Sequence, residues 1–260
     1  MLYELNHFGI VVRDLDASLA FYEGVLGAKT VFRRFVDSTQ THVLYLQLGD
    51  GLIELLYPLQ PAEDADTGIT HIAFMTDDLD GDYTALIHAG VESISEPKTT
   101  ATGVGRLAFV RDPNGVGVEL LQRDLLMRGE AVEHPIVAGF DHYSLTVADP
   151  AASHAFYAGL LDMRPADAGS GVSDAVYLEL AGQVLELQPR TAGREEDPTF
   201  SHFALRVDGI RSALDALASS GVDGEMVGGE GEERAGVIRD PDGVAIYLVE
   251  RAAALPPSNR

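Results

Sequence analysis

His7-Phe8-Gly9-Ile10-Val11-Val12 and His142-Tyr143-Ser144-Leu145-Thr146-Val147 are the same pattern written twice, 135 residues apart. The match runs on in order. Phe21-Tyr22 returns as Phe156-Tyr157, and Leu52-Ile53-Glu54-Leu55 returns as Val184-Leu185-Glu186-Leu187. His71-Ile72-Ala73-Phe74 returns as His202-Phe203-Ala204-Leu205, and Arg111-Asp112-Pro113-Asn114-Gly115 as Arg239-Asp240-Pro241-Asp242-Gly243. The offset only shrinks, from 135 to 128, so the second copy has lost a few loop residues. Each half also repeats within itself. HFGIVVRDLD from His7 matches HIAFMTDDLD from His71, and Glu54-Leu55-Leu56 matches Glu119-Leu120-Leu121. The chain is four copies of one unit.

The unit reads as strand, helix, then three strands. Leu5 to Val12 is β-prone. Asp14-Leu15-Asp16 is suited to cap a helix over Ala17 to Leu26, which Gly27 stops. Strands are expected over Thr30–Phe35, His42–Leu48 and Gly51–Tyr57. The second unit repeats this with a strand at Ile69–Thr76, a helix at Gly81–Ala89 ended by Gly90, and strands to Gln122. Asp112-Pro113-Asn114-Gly115 signals a turn before the last of them. The domains are expected over residues 1–126 and 139–251, joined by a linker at 127–138 and followed by a tail at 252–260.

Strand parity separates the faces. His7, Gly9 and Val11 share one side of the first strand, and Phe8, Ile10 and Val12 share the other. The apolar set belongs under the helix, which leaves His7 on the concave side. By the same rule Leu52, Glu54 and Leu56 face the concavity, with Ile53, Leu55 and Tyr57 against the helical layer. Glu119 is a carboxylate between Val118 and Leu120. A buried carboxylate needs a partner. A single strand histidine is commonly a core or surface residue, but here four of the eight histidines, His7, His71, His142 and His202, fall at one position of four repeats. Three of the four matching last-strand positions are Glu, and Tyr247 takes the fourth. His42, His88, His134 and His154 show no such register and read as solvated or structural. Two His and two Glu make an N/O donor set for one divalent ion, Zn²⁺, Ni²⁺, Co²⁺, Mn²⁺ or Fe²⁺, with positions left for substrate oxygens.

Composition narrows the function classes. Of 260 residues, 46% are hydrophobic, and none is Cys, so disulfides, thiolate ligands and a cysteine nucleophile are excluded. A net charge of −23 with no basic patch argues against nucleic acid, and no apolar run is long enough for a membrane span. The start, Met1-Leu2-Tyr3-Glu4-Leu5, enters strand-like sequence directly, and a soluble cytoplasmic protein is expected, as a monomer or homodimer acting on a small molecule.

The four βαβββ units, the His and Glu positions and the Asp-Pro-Asn-Gly turn before Val118-Glu119-Leu120 resemble the vicinal-oxygen-chelate (VOC) superfamily. Its members include glyoxalase I, methylmalonyl-CoA epimerase, extradiol dioxygenases and fosfomycin- and bleomycin-resistance proteins. The resemblance covers residues 3–124 and 139–251. It implies an α+β fold of two tandem domains, each a curved mixed sheet around an open metal-binding cleft. It implies metal ligands at His7, Glu54, His71 and Glu119 and a possible second set at His142, Glu186, His202 and Tyr247, where Tyr, with a pKa near 10, is a poor ligand. Pairing within a domain is preferred by analogy with tandem relatives. Pairing across domains would instead join His142 and Glu186 to His71 and Glu119.

Three functions compete. The first is a glyoxalase- or epimerase-like lyase or isomerase, with a metal-stabilised enediolate and Glu54 or Glu119 as general base. The second is an Fe²⁺ or Mn²⁺ extradiol dioxygenase using His7, His71 and Glu119. The third is a non-catalytic small-molecule binder. Tyr45, matched by Tyr177, is expected to line the cleft, and Arg106, matched by Arg234, to meet a substrate carboxylate from the Lys98–Arg106 loop. Packing and surface roles for these residues compete with that expectation.

Overall fold

The computed structural model describes residues 1–60, 67–125, 127–131, 133–166, 174–191, 200–228 and 235–251. The first unit forms β1 (Leu2–Val11), α1 (Leu15–Tyr22), β2 (Lys29–Val36), β3 (Thr41–Leu48) and β4 (Gly51–Pro58). The second forms β5 (Gly68–Thr76), α2 (Leu79–His88), β6 (Glu92–Thr99), β7 (Arg106–Arg111) and β8 (Gly117–Gln122). Asp14 and Asp78 cap the two helices by accepting from Ala17 and Gly81 backbone N–H groups. α1 ends four residues before the expected Leu26, and the chain turns out at Gly27 with φ 72°.

Both units join one eight-stranded mixed sheet in the order β2-β3-β4-β1-β5-β8-β7-β6. β1 and β5 lie antiparallel at its centre, each flanked by the parallel last strand of its own unit. The second half repeats the plan: β9 (Gly139–Val147), α3 (Pro150–Tyr157), β10 (Arg164–Pro165), β11 (Val176–Leu180), β12 (Gln183–Pro189), β13 (Phe200–Arg206), α4 (Ile210–Ser219), β14 (Gly224–Val227), β15 (Ala235–Arg239) and β16 (Ala245–Val249). Its sheet runs β10-β11-β12-β9-β13-β16-β15-β14. Two antiparallel-centred mixed sheets with two helices each make this an α+β tandem. Among the described residues no helix is long and apolar enough to cross a membrane.

The parity rule holds along β4 and β8 and along β1 from His7 onward. Phe8, Ile10, Ile53, Leu55, Val118 and Leu120 enter one large core, while Leu52 and Leu56 belong to a small cluster on the opposite face with Val43 and Tyr45. That core is continuous with the second sheet through Tyr143, Leu145, Leu185, Leu187 and Phe203. Phe8 and Tyr143 rings meet at 4.6 Å.

The repeated Phe-Tyr and Arg-Asp-Pro motifs have a joint role. Tyr22, at the end of α1, donates to Asp240 at 2.8 Å, and Tyr157, at the end of α3, donates to Asp112 at 3.1 Å. Each aspartate spends its other oxygen on its own turn: Asp112 accepts from Asn114 and Val116 N–H, Asp240 from Asp242 and Val244 N–H. Each domain's helix is thus tied to the other domain's turn. Removing the Tyr22 phenol leaves Asp240 Oδ2 without that partner, whereas Asp112 Oδ2 keeps a hydrogen bond from Asn114 Nδ2 at 3.0 Å when Tyr157 loses its hydroxyl. Tyr22→Phe should lower stability by about 1.5–3 kcal/mol, the range for hydrogen bonds to charged groups, and Tyr157→Phe by less, each read as a lower urea midpoint at unchanged slope.

Candidate metal centre

Two adjacent cross-strand rows bring the predicted residues together. In one, Glu54 on β4, Gly9 on β1 and His71 on β5 are in register, ending at Gly117 on β8. In the next, His7 on β1, Ala73 on β5 and Glu119 on β8 are in register. The small residues between the donors leave the concave face open. Gly9 is indispensable to this arrangement, because a Cβ there would lie 1.9 Å from Cε1 of His71.

Both histidines face both glutamates, and His7, His71 and Glu119 bring their ligand atoms within 4.8 Å of one another. His7 Nε2 is 3.7 Å from Glu54 Oε2 and 3.5 Å from Glu119 Oε2; His71 Nε2 is 3.4 Å and 3.5 Å from the same oxygens. Donors about 2.1 Å from a common centre at tetrahedral corners stand roughly 3.4 Å apart, so the four His–Glu spacings are of the size a divalent ion needs. The hydrogen-bond accounting agrees. His7 Nε2, His71 Nε2 and Glu119 Oε2 are buried without a hydrogen-bond partner. Three stranded polar atoms aimed at one point are costly unless a cation receives them. The structure therefore groups His7, Glu54, His71 and Glu119 within the first domain, and His71 and Glu119 are not joined to His142 and Glu186.

Protons compete for the same donors. Burial works against charge on His71, but Glu119 and Glu54 outweigh it and raise its pKa to about 10. Burial dominates at His7 and lowers it, against the pull of Glu54 and Glu119. Burial also opposes ionisation of Glu54, and the two imidazoles overcome it and hold the carboxyl well below its usual range.

A layer behind the donors fixes them. The β1–β5 pairing skips Asn6, which bulges out between Leu5 and His7. Its Oδ1 lies 2.9 Å from His7 Nδ1 and also accepts from Arg123 at 3.0 Å, while its Nδ2 donates to Glu4 at 2.7 Å. An acceptor at Nδ1 puts the ring proton there and leaves Nε2 as a lone pair facing the cluster. Arg128 closes this layer on Asn6 O and Glu4. The sequence reading had no role for Asn6, Arg123 or Arg128. A signal was present, because Asp141 and Arg251 repeat the first two at offsets of 135 and 128.

The walls are apolar. Tyr45 is buried, edge-on to His7 at 5.0 Å and beneath Arg123 at 4.7 Å, and burial keeps its phenol protonated. Phe32, Val43, Leu52, Val104 and Met127 pack with it, and Phe109 stands edge-on to His71 at 5.5 Å. Met127 and Arg128 come from the expected linker, so that segment builds part of the cleft. The Lys98–Arg106 loop contributes Val104, but Arg106 itself is not brought to the donors. It is spent on Asp80 of α2 in a bidentate, exposed ion pair at 2.5 and 2.9 Å. Its repeat partner Arg234 lies outside the described residues. His42 stacks near Phe35 and Tyr57, and His134 accepts from Ile136 and Val137 N–H, both away from the cluster.

The second domain assembles His142, Glu186 and His202 the same way, each His Nε2 3.6 Å from Glu186 Oε2. Tyr247 stands at the Glu119 register position and stacks on His202 at 3.9 Å.

Comparison with known proteins agrees with this architecture. The family model of the Glyoxalase/Bleomycin resistance protein/Dioxygenase superfamily matches residues 4–120 and 139–248, and the chain belongs to that superfamily. It is similar to a probable lactoylglutathione lyase of Vibrio parahaemolyticus, 31% identical over 45% of this chain and 88% of that protein. It is also similar to the lactoylglutathione lyase of Schizosaccharomyces pombe, 22% identical over 96% of this chain and 97% of that one. Among solved structures, the Mn(II)-bound glyoxalase from Novosphingobium aromaticivorans shares the fold with a TM-score of 0.72 at 20% identity, covering 100% of this chain and 86% of that one. The 2,3-dioxygenase LapB from Pseudomonas sp. KL28 does so with a TM-score of 0.68 at 15% identity, covering 99% and 95%.

Gly9→Ala forces the His71 ring off its position without touching the apolar core. Metal affinity measured by calorimetric titration should fall by at least roughly 10–100-fold, the penalty typical of a disturbed ligand shell, while the urea midpoint of the metal-free protein changes little.

Proposed function

We propose that this chain is a divalent-metal-dependent lyase or isomerase of the glyoxalase or epimerase kind, acting in its first domain on a small substrate with two vicinal oxygens. The observation that carries the reading is that each of the two histidines faces two glutamates, not one, at 3.4–3.7 Å. His7, Glu54, His71 and Glu119 would hold the ion, which when bound polarises the substrate oxygens and offsets the negative charge that develops on them. The two carboxylates come from β4 and β8, with β1 and β5 between them, and so reach the cleft from opposite sides. One of them removes the proton next to the substrate carbonyl and returns it to the adjacent carbon. The Asn6–His7 contact keeps His7 in one tautomer while the carboxylate changes protonation. The wall of Phe32, Val43, Leu52 and Met127 keeps bulk water from the exchanging proton. The lactoylglutathione lyases among the relatives suggest the hemithioacetal of a 2-oxoaldehyde and a thiol as the first substrate class to try.

A second reading, an iron or manganese ring-cleaving dioxygenase, draws on His7, His71 and Glu119 alone, whose facing atoms are the unpartnered ones. It leaves Glu54 without a purpose.

The test is turnover of such hemithioacetals, prepared with glutathione and with other thiols, by chain loaded in turn with Zn²⁺, Ni²⁺, Co²⁺ and Mn²⁺. Chelation should abolish turnover. Glu54→Gln or Glu119→Gln should reduce kcat by about 100-fold or more, the usual share of a general base, and slow solvent-deuterium uptake into the product in step. Full turnover in both variants would remove the glutamates from the reaction. Oxygen consumption with catechols by the iron-loaded chain, without hemithioacetal turnover, would transfer the assignment to the dioxygenase.

A further inference from the structure

The two clusters occupy the same register, and the second differs at the positions that decide whether an ion can enter. Glu54–Gly9–His71–Gly117 becomes Glu186–Ser144–His202–Ala245, and His7–Ala73–Glu119 becomes His142–Ala204–Tyr247. Three consequences are visible. Ser144 carries the Cβ that Gly9 must lack for His71 to lie over it, and in the second domain the His202 ring lies face to face with Tyr247. The Ser144 hydroxyl donates at 2.6 Å to Glu186 Oε2, the very oxygen that faces both histidines, and Tyr177 donates at 2.5 Å to Oε1. Both Glu186 carboxylate oxygens therefore already accept a hydrogen bond, and the first domain's Gly9, at the Ser144 position, offers the equivalent Glu54 no such hydroxyl. Finally, the fourth donor has become a half-buried phenol whose pKa burial raises further, a poorer ligand near neutrality than a carboxylate.

We infer that the second domain's His142–Glu186–His202 cluster is closed to metal, and that Ser144 and Tyr247 are the residues that close it. The glutamate of the residual cluster is held by Ser144 and Tyr177, while His142 Nε2, like His7 Nε2, is left without a hydrogen-bond partner. The first domain's Gly9 and Glu119 hold the corresponding cleft open, so the chain takes its ion in one domain only. The reference state, an ion in the first domain, rests on the function proposed above. The closure of the second domain does not depend on it.

Cobalt(II), whose visible absorption reports both occupancy and ligand geometry, is the probe, with metal counted by plasma mass spectrometry on the full-length chain. The wild type should retain about one cobalt per chain, and His71→Ala with Glu119→Gln should retain none, because no competent site remains. Adding Ser144→Gly and Tyr247→Glu to that background should restore about one cobalt per chain, with a spectrum like that of the wild type, as expected for a four-donor N/O site. Ser144→Gly alone, the gentler change, should give partial, weaker occupancy. The inference is overturned if the His71→Ala, Glu119→Gln chain keeps a full cobalt that His142→Ala then removes. It is also overturned if the restored chain, folded by its circular dichroism, takes none. A wild type without cobalt beside a restored chain that binds it would defeat the proposed function and leave this inference standing.

Discussion

Four ionisable side chains sit in the middle of apolar strands, and the first domain is arranged around making that tolerable. His7 is fully buried and Glu54, His71 and Glu119 nearly so. Their neighbours along each strand enter the main core, so none can turn to solvent without pulling apolar residues out. The carboxylates and imidazoles must neutralise one another or share a cation. Everything adjacent serves that requirement: Gly9 and Ala73 keep the rows narrow, the bulge at Asn6 supplies the second acceptor, and Tyr45 and Met127 seal the wall. A hydroxyl lock of the kind Ser144 forms on Glu186 satisfies a carboxylate without an ion; Gly9, at the matching position beside Glu54, cannot form it, and Glu119 Oε2 is left unpartnered.

How much of this could be read from the sequence depended on whether the feature is periodic. Strand faces are periodic, so the placement of Glu54 with Leu52 and Leu56, opposite Ile53 and Leu55, followed from alternation alone. The repeated His positions are a register, and register survives in sequence. The bulge at Asn6 breaks alternation, and only the pairing with Phe74 and Ala73 exposes it. That is why a residue one step from His7, on the strand that decided the fold, had no assigned role. The Arg106 expectation failed to foresee Asp80, which is 26 residues away and on the helical side, a long-range ion pair that no local pattern encodes. The choice between pairing within and across domains also lay beyond the sequence, because both use equivalent strands. The antiparallel contact of β1 with β5 decides the grouping of side chains.

The duplicated motifs illustrate a further limit. Arg-Asp-Pro-Asn-Gly reads as a turn, and it is one: Gly115 has φ 87° and Gly243 φ 90°, conformations open to glycine. Yet a turn needs only one of the aspartate's oxygens. The other is taken by a tyrosine from the opposite domain, so the motif is kept in both copies by two demands, one local and one between domains. Sequence shows the residue and the first demand but not the second.

The interlock also explains how a second domain that lacks one donor still matters to the first. Tyr143 of β9, next to His142, extends its phenol across the interface and donates to Leu52 O at 2.8 Å, also lying 3.4 Å from Asn6 O. Leu52 is two residues from Glu54, and Asn6 holds His7. Phe140 packs so closely on Gly51 that a Cβ there would lie 2.2 Å from its ring, and its N–H donates to Asp50 at 2.8 Å. The start of β4 and the bulge of β1, the two backbone segments that aim Glu54 and His7, are thus braced by the second domain's central strand. A donor geometry that must hold within a few tenths of an ångström needs rigid support behind it. The second domain supplies that support through Phe140 and Tyr143, from the face opposite its own cluster, so the bracing of Glu54 and His7 does not depend on what its cluster holds.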